Sequence, residues 1–335
     1  MGNNIATLKT VKCEAVDPTI VPPPPPPGAV PGDVEGAPAV VQNPKFKDNP
    51  GTLEELHKKC KEVFPQPFEG AKVMINKGLN QGFQVSHSIT LSSITPSGYR
   101  FGATYVGTQM VSATEPALVL MGEMDPSGNL NAQGVHFVNE SCKLKFGTQI
   151  LNSKFATYQF SGDWRGKDWT GSVAVVNPNL FSNSGIAVFH YLQSITSRIA
   201  LGAELMYQQS PQIPGGAATL LSGSARFTGD SSVWSGYYGS NGFGLCYYRR
   251  LNEELQVGVE VENSYQHQQT VASLGYQFDI PKANFVMKAM VDTNWTVTGV
   301  FEKRLNPMPF TFALCGSLNH AKNQFRLGCG LTIGG

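Results

Sequence analysis

The stretch FRLGCGLTI, residues 325–333, decides the fold. Its odd-numbered positions hold Phe, Leu, Cys, Leu and Ile, whereas its even-numbered positions hold Arg, Gly, Gly and Thr. Side chains alternate between the two faces of an extended chain, so this predicted strand is apolar on one face and polar on the other. The same pattern recurs back to about Ala71, with almost no helical segments that could cover the apolar faces. With no second layer to bury them, these faces have lipid as their natural partner.

The composition favours a membrane-embedded β structure over a soluble domain. Only 15% of the 335 residues are charged, against about 25% in ordinary soluble proteins. The 36 glycines favour many turns. The net charge of +1 provides no basic field for nucleic acid, so no nucleic-acid partner is expected.

Other classes are disfavoured by features that the sequence lacks. No window has the roughly 18 consecutive apolar residues that a membrane helix needs. The first sixty residues contain no arginine and are crowded with proline, so they resemble neither a signal peptide nor a transit peptide. The six cysteines show no metal or redox spacing, and we interpret them as free thiols in a reducing compartment. No metal and no cofactor is predicted.

From Ala71 onward we count about nineteen strand-like segments, most of them roughly eight to ten residues long, which suits tilted transmembrane strands. The breakers between them are short, such as TPSG at 95–98 and GSNG at 239–242, so neighbouring strands should pair antiparallel. The alternation is clearest in four segments: residues 83–91, 142–150, 199–207 and 254–262.

A closed barrel explains these strands better than a sandwich, which would have to hide all the large apolar residues in one thin core. Closure removes sheet edges and leaves the polar face lining a lumen. Bacterial single-chain barrels have even strand numbers, whereas about nineteen is the count of a mitochondrial channel. We therefore predict an all-β fold, a transmembrane antiparallel β-barrel of about 19 strands whose first and last strands are parallel.

Two segments precede the barrel. Residues 1–48 contain a polyproline run at 22–27 and no apolar periodicity, which predicts a disordered arm. The run could be a plain linker or a docking ligand for a partner, and the sequence leaves both open. The predicted division is therefore an arm at 1–48, a lumenal helix segment at 49–70 and the barrel at 71–335.

The segment before the barrel predicts one helix of about twelve residues. Thr52 and Glu55 have capping-box spacing, and Pro65 prevents continuation. The helix is too short to span a bilayer, so its apolar stripe should rest on the inner barrel wall. The positions assigned to this lumenal helix site are Thr52, Leu53, Glu55, Leu56 and Cys60. We interpret His57 as a plain polar contact.

Motifs for catalysis are missing from the sequence, so no enzyme is predicted. Glu260 and Glu262 share a face and could form an acid/base pair, but two lumen charges in water are the favoured interpretation. The polar faces of the strands supply the predicted pore-lining residues: Gln84, Lys143, Lys145, Glu204, Arg226, Gln256, Glu260 and Glu262.

From residue 48 to the end the chain resembles, in one register, the family of channel-forming subunits of the TOM complex, the translocase of the outer mitochondrial membrane. That family belongs to the eukaryotic porin superfamily. The arm matches only in being proline-rich, and the loop QQSPQ at 208–212 departs from the charged residues common in animal relatives. Segments that carry the resemblance include FEG at 68–70, NKGL at 76–79, HYLQS at 190–194, PKANF at 281–285, DTNW at 292–295 and EKRLNPMPFT at 302–311.

The resemblance implies a protein-conducting channel that imports unfolded precursor proteins from the cytosol, with the N-terminus in the intermembrane space. Implied partners are precursors and their presequences, receptor subunits, small single-helix subunits, further copies of the chain and membrane lipid. It also implies an assembly signal in the last strand, formed by Arg326, Gly328, Leu331 and Ile333. The alternatives are a metabolite or anion porin of the same superfamily, with a basic lumen, and a soluble β-rich module or enzyme.

Overall fold

The computed structural model describes residues 49–93, 97–111, 115–179, 184–210 and 216–334. The arm at 1–48, with its polyproline run, lies outside these residues. None of the helices in the described part is long and apolar enough to cross a membrane.

The described residues form one sheet of nineteen strands that closes on itself. The strands are β1 (Gly70–Asn80), β2 (Phe83–Leu91), β3 (Gly98–Val106), β4 (Leu118–Met124), β5 (Leu130–Asn139), β6 (Cys142–Leu151), β7 (Lys154–Arg165), β8 (Trp169–Asn179), β9 (Ser184–Ser194) and β10 (Ile199–Gln209). They continue as β11 (Ala217–Thr228), β12 (Ser232–Gly239), β13 (Gly242–Arg250), β14 (Leu255–Ser264), β15 (Gln269–Ile280), β16 (Phe285–Asp292), β17 (Thr296–Leu305), β18 (Phe310–Asn319) and β19 (Gln324–Ile333). The predicted barrel is confirmed.

Closure occurs between β1 and β19, which pair in parallel from Gly70 beside Gly328 to Ile75 beside Ile333. Consecutive strands pair antiparallel, so an odd number of them leaves the first and last running in the same direction. Odd-numbered strands run from what we term the lower end of the barrel to its upper end. The closed ladder leaves no edge strand open to another chain.

Cross-strand partners share a face, so the register assigns each residue to the outer or the inner wall. Outward positions are apolar and exposed, as at Phe325 (68%) and Leu327 (63%). Exposed aromatic residues concentrate near the two ends, where Trp164 and Trp234 lie toward the upper end and Trp295 lies in a lower turn. Such bands are typical of barrels that span a membrane.

The helical elements among the described residues are short. A 3-10 turn spans Leu53–Glu55, the α-helix α1 spans Lys58–Lys61, and a further 3-10 turn at Pro281–Ala283 links β15 to β16.

Candidate functional site

The candidate site is the lumen together with the chain that crosses it, residues 49–69, which we term the internal segment. At its start, the Asn49 side-chain amide donates to the carbonyl oxygens of Gly166 at 2.8 Å and Trp169 at 3.0 Å, at the upper end of the barrel. At its finish, the Glu69 carboxylate lies 3.9 Å from the Arg326 guanidinium, near the lower start of β19. The internal segment therefore traverses the lumen, from the upper end of the barrel at Asn49 to the lower start of β1 at Gly70.

The internal segment is not the continuous helix that the sequence predicts. The Thr52 side chain makes no capping bond, and the Glu55 amide donates instead to the Thr52 carbonyl at 3.1 Å. The backbone leaves helical geometry at His57, with φ −100° and ψ 3°. A helix of this length gains little from its own hydrogen bonds, so contacts with the wall decide its shape.

The upper half of the internal segment docks through leucines. Leu56 packs with Leu192 and Ala200 in a buried cluster, and Leu53 lies against its edge. A side chain added at Gly202 would come within 2.9 Å of Leu53. Complete burial of one leucine side chain stabilises by roughly 1.5 to 3 kcal/mol, so this cluster anchors the internal segment to β9 and β10.

The lower half docks where the wall has glycines. Cys60 and Phe64 lie over Gly258, whose added Cβ would fall 3.3 Å from the Cys60 sulfur. A Cβ at Gly275 would meet the Phe64 ring at 2.8 Å. Val63 is completely buried. The glycines therefore form a shallow depression across β14 and β15 that admits the internal segment.

Charges are matched along the internal segment. The Glu54 carboxylate lies 2.8 Å from Lys145, which also contacts the buried Asp163 at 3.1 Å. Further down, Lys61 lies 3.8 Å from Glu260. The acidic upper part thus faces a basic patch of wall and the basic lower part faces an acidic one. This complementarity fixes the direction in which the internal segment lies.

His57 joins these two parts. Its Nδ1 atom shares a hydrogen bond of 2.8 Å with the Ser235 hydroxyl, and its ring meets Tyr237 edge-on at 5.7 Å. Burial, together with the charge of nearby Lys61, lowers the pKa of His57 from 6.5 to about 4. The ring is therefore neutral at physiological pH.

All eight residues assigned to the pore lining lie on the inner face. Lys145, Arg226 and Glu260 contact the internal segment, Arg226 by donating to the Pro50 carbonyl. Glu204 pairs with His190 at 3.2 Å. The remaining inward positions are Gln84 on β2, Lys143 over the Phe137 ring, Gln256 bonded to Tyr248, and Glu262 on β14. Whether they control conduction stays a prediction.

Sequence reasoning missed an apolar patch on the inner wall. Five half-buried residues form it through direct cross-strand pairs: Val176, Ile186, Val188, Met206 and Leu220. They lie lower on β8 to β11 than the leucine cluster. Their inward position could have been found by extending the parity of Glu204 along β10, because Met206 is two residues further on the same face.

The assignments in the last strand divide between the two faces. Arg326 and Gly328 point inward, whereas Leu331 and Ile333 point outward beside Val73 and Ile75 of β1. A Cβ at Gly328 would lie 2.4 Å from the Phe68 carbonyl oxygen. The glycine thus provides clearance for the internal segment as it leaves the lumen. The role of these residues in assembly stays a prediction.

In the described part of the chain, no cluster of three or more His, Cys, Asp or Glu side chains could hold a metal ion.

The closed barrel has a lumen that is lined by polar residues and contains the internal segment. These features define a β-barrel channel of the porin type. The chain belongs to the eukaryotic porin family, whose model, described as "Eukaryotic porin", matches residues 49–328. It is 48% identical to "Mitochondrial import receptor subunit TOM40 homolog 2" of Drosophila melanogaster over 92% of this chain and 90% of the relative. The human "Mitochondrial import receptor subunit TOM40 homolog" is 48% identical over 85% of this chain and 78% of the relative. The resemblance found in the sequence is confirmed.

Among solved structures, a triple mutant of the Rhodopseudomonas blastica porin superposes with a TM-score of 0.43 and 12% identity. The match covers 68% of this chain and 94% of that porin.

Proposed function

We propose that this chain is the protein-conducting channel of the mitochondrial outer membrane, through which unfolded precursor proteins enter from the cytosol. The support is identity of 48% along most of the chain to relatives named as mitochondrial import receptor subunits. The fold agrees, since a closed barrel of nineteen strands encloses a polar inner wall and offers lipid an apolar outer one. No bond is made or broken in transport.

One observation carries the mechanism: the inner wall has both carboxylates and an apolar patch, and Glu204 adjoins that patch. Glu204 precedes Met206 of the apolar patch on the same face of β10, and Glu260 and Glu262 follow on the inner face of β14. A presequence that is basic on one face and apolar on the other matches both surfaces. Weak attraction by carboxylates raises its local concentration without holding it, which suits passage through a pore.

The test is to neutralise the carboxylates together, as Glu204→Gln, Glu260→Gln and Glu262→Gln, in channels reconstituted into planar bilayers. Cation preference should fall, most clearly at low salt where screening is weak. Import of a precursor with a basic presequence should slow in parallel. Glu253→Gln, in the turn before β14, is the matched control.

An unchanged reversal potential with unchanged import would remove the three carboxylates from the mechanism. Anion preference in the unaltered channel, with passage of small metabolites but no protein, would instead favour the metabolite porin.

The orientation is part of the proposal. Asn49 and Gly334 lie at the same end of the barrel, so one side of the membrane receives both ends of the described chain. We place that end in the intermembrane space. A tag at Met1 that protease removes from intact mitochondria would contradict this placement.

The proposed partners are the receptor and small single-helix subunits of the TOM complex and further copies of the chain. The apolar outer wall supports this, because it can receive transmembrane helices as well as lipid. Native gel size and cross-linking in intact membranes test it, and a barrel that migrates alone would contradict it.

A further inference from the structure

Two buried thiols from distant parts of the chain lie in the same region, where the internal segment rests on the wall. Cys60 lies in α1 and is 3% exposed, and Cys246 lies on β13 and is 4% exposed. The Cys60 thiol lies 3.5 Å from the carbonyl oxygen of Tyr247, the residue that follows Cys246. The Cys246 side chain points inward from β13, toward the same part of the internal segment. The other described cysteines are placed differently: Cys315 accepts from the Phe68 amide at 3.4 Å, and Cys142 and Cys329 face outward.

The wall holds Cys60 in a fixed position. Its thiol lies 3.5 Å from the carbonyl oxygen of Tyr247 and 3.5 Å from that of Val259, so it sits between β13 and β14. Gly258 leaves the necessary room, because a Cβ there would come within 3.3 Å of the sulfur. Both thiols are thus held by backbone elements that the barrel makes rigid.

Groups that assist thiol chemistry surround the pair. The Glu260 carboxylate lies 3.6 Å from the Cys246 sulfur and can accept a proton from it. Lys61 lies 3.8 Å from the same carboxylate and adds a positive charge beside Cys60. The thiolate is the nucleophile in disulfide exchange, so a nearby proton acceptor and a cation both favour the reaction.

We propose that Cys60 and Cys246 are a reversible disulfide site that fixes the internal segment covalently to β13. The oxidant is a low-molecular-weight disulfide such as oxidised glutathione. Because both thiols are buried while the internal segment is docked, the reaction proceeds through a local opening of that segment. One protein thiolate then attacks the reagent, forming a mixed disulfide and releasing one small thiolate. The second protein thiol gives its proton to Glu260 and attacks the protein sulfur of the mixed disulfide, which releases the second small thiolate. The protein pair loses two electrons, the reagent gains two, and a dithiol reverses the reaction.

This site goes beyond transport itself and does not depend on the cargo. In the reduced form, the internal segment is held by noncovalent contacts, among them the leucine cluster, its charge pairs and its hydrogen bonds to the wall. In the oxidised form it cannot leave the wall, so the open part of the lumen keeps one width. The conformational freedom of the internal segment would then follow the thiol redox state of the compartment.

The experiment uses the full chain, folded in lipid bilayers, treated with oxidised glutathione and quenched with N-ethylmaleimide. A link between residues 60 and 246 closes a long loop, so the denatured chain should migrate faster on a gel without reductant. Peptide mass spectrometry should identify the Cys60–Cys246 pair, and dithiothreitol should abolish both signals. Cys60→Ser and Cys246→Ser should each lose the fast band, whereas Cys142→Ser should keep it.

Two outcomes would overturn the proposal. One is a fast band that persists in Cys246→Ser. The other is oxidised wild-type protein that contains only glutathione adducts and no linked peptide. Each serine variant is first checked for its heat-resistant folded band, so that a misfolded barrel is not read as a missing disulfide. Wild-type chain oxidised in urea should give mixed pairings, which shows that the selectivity comes from the fold.

Discussion

The inner wall beneath the internal segment differs from the inner wall that the internal segment leaves open. Beneath it, glycines provide clearance: added Cβ atoms would meet internal-segment atoms at 3.3 Å over Gly258, 2.8 Å over Gly275 and 2.4 Å over Gly328. On the open wall, a Cβ at Gly147 would meet nothing within 4 Å. The same residue type on the same face therefore has a packing role in one region and none in the other.

Charged residues show the same contrast. Lys145 and Glu260 each have a charged partner on the internal segment, so both residues also help to position that segment. On the open wall, Glu204 pairs with another wall residue, His190, and borders the apolar patch. The inward-facing residues of the strands thus form two surfaces. One docks the internal segment, and the other is available to a passing chain.

The largest expected effect tests whether the inner and outer walls are distinct at all. Val259 faces outward halfway along β14, and Gly147 faces inward on the open wall halfway along β6. Val259→Lys should cost about 2 to 4 kcal/mol, because it places a charge in hydrocarbon, and Gly147→Lys should cost far less. Unfolding in lipid, followed by gel shift or tryptophan fluorescence, measures the difference. Equal stability of the two variants would contradict the face assignment.

Gly258 is unsuitable as the inward control in that experiment, although its alternation alone recommends it. A lysine at Gly258 would clash with Cys60 and Phe64. A loss of stability would then reflect displacement of the internal segment and not the contact of a charge with the membrane.

The second prediction concerns Gly328, where clearance and the predicted assembly signal coincide. Gly328→Leu should block assembly, since the new side chain meets the backbone carbonyl of Phe68 and overpacking costs about 1 to 3 kcal/mol. If the assembly signal is correct, the imported chain should stall before membrane integration on blue-native gels.

Gly330→Leu is the matched control, because Gly330 lies on the same face of β19 and an added Cβ there has side chains, the Phe68 ring at 3.3 Å and the Ala313 methyl group at 3.4 Å, as its nearest neighbours. It should assemble. Normal complex formation by Gly328→Leu would refute both roles. If Gly328→Leu inserts into the membrane but its internal segment is sensitive to protease, clearance is the only role left to Gly328.

The smallest effect concerns pH. His57 binds protons more weakly when docked, with its pKa lowered to about 4, so the docked state is favoured while the ring is neutral. Docking should be unaffected above pH 6.5, weaken as the pH falls from 6.5 to 4, and change little further below that. The loss should be on the order of 1 kcal/mol, because the ring is partly exposed and water screens its charge.

Protease sensitivity of the internal segment across this pH range measures the effect. His57→Asn should remove the dependence, and His267→Asn, in the exposed turn after β14, should retain it. A wild-type profile that is flat from pH 7 to 4 would show that His57 does not control docking.

The sequence by itself determined the barrel. Alternation with a period of two, as in LQVGVEVE at 255–262, needs only the geometry of one strand, so it predicts both the strand and its two faces. Strand number and short turns then imply antiparallel neighbours and parallel closure of β1 with β19. The family could also be read from the sequence, because ordered segments such as NKGL and DTNW are specific.

Only the tertiary structure decided how the internal segment lies. The capping-box spacing of Thr52 and Glu55 predicts one helix, but the structure has a 3-10 turn and the short helix α1 on either side of His57. Leu56, His57 and Cys60 contact the wall in this region. Those contacts join residues more than a hundred positions apart, as between Cys60 and Tyr247. Local periodicity contains no information about such distances. The path of the internal segment through the lumen therefore decides which inward glycines, charges and thiols have a partner. The sequence of the strand to which such a residue belongs does not contain this information.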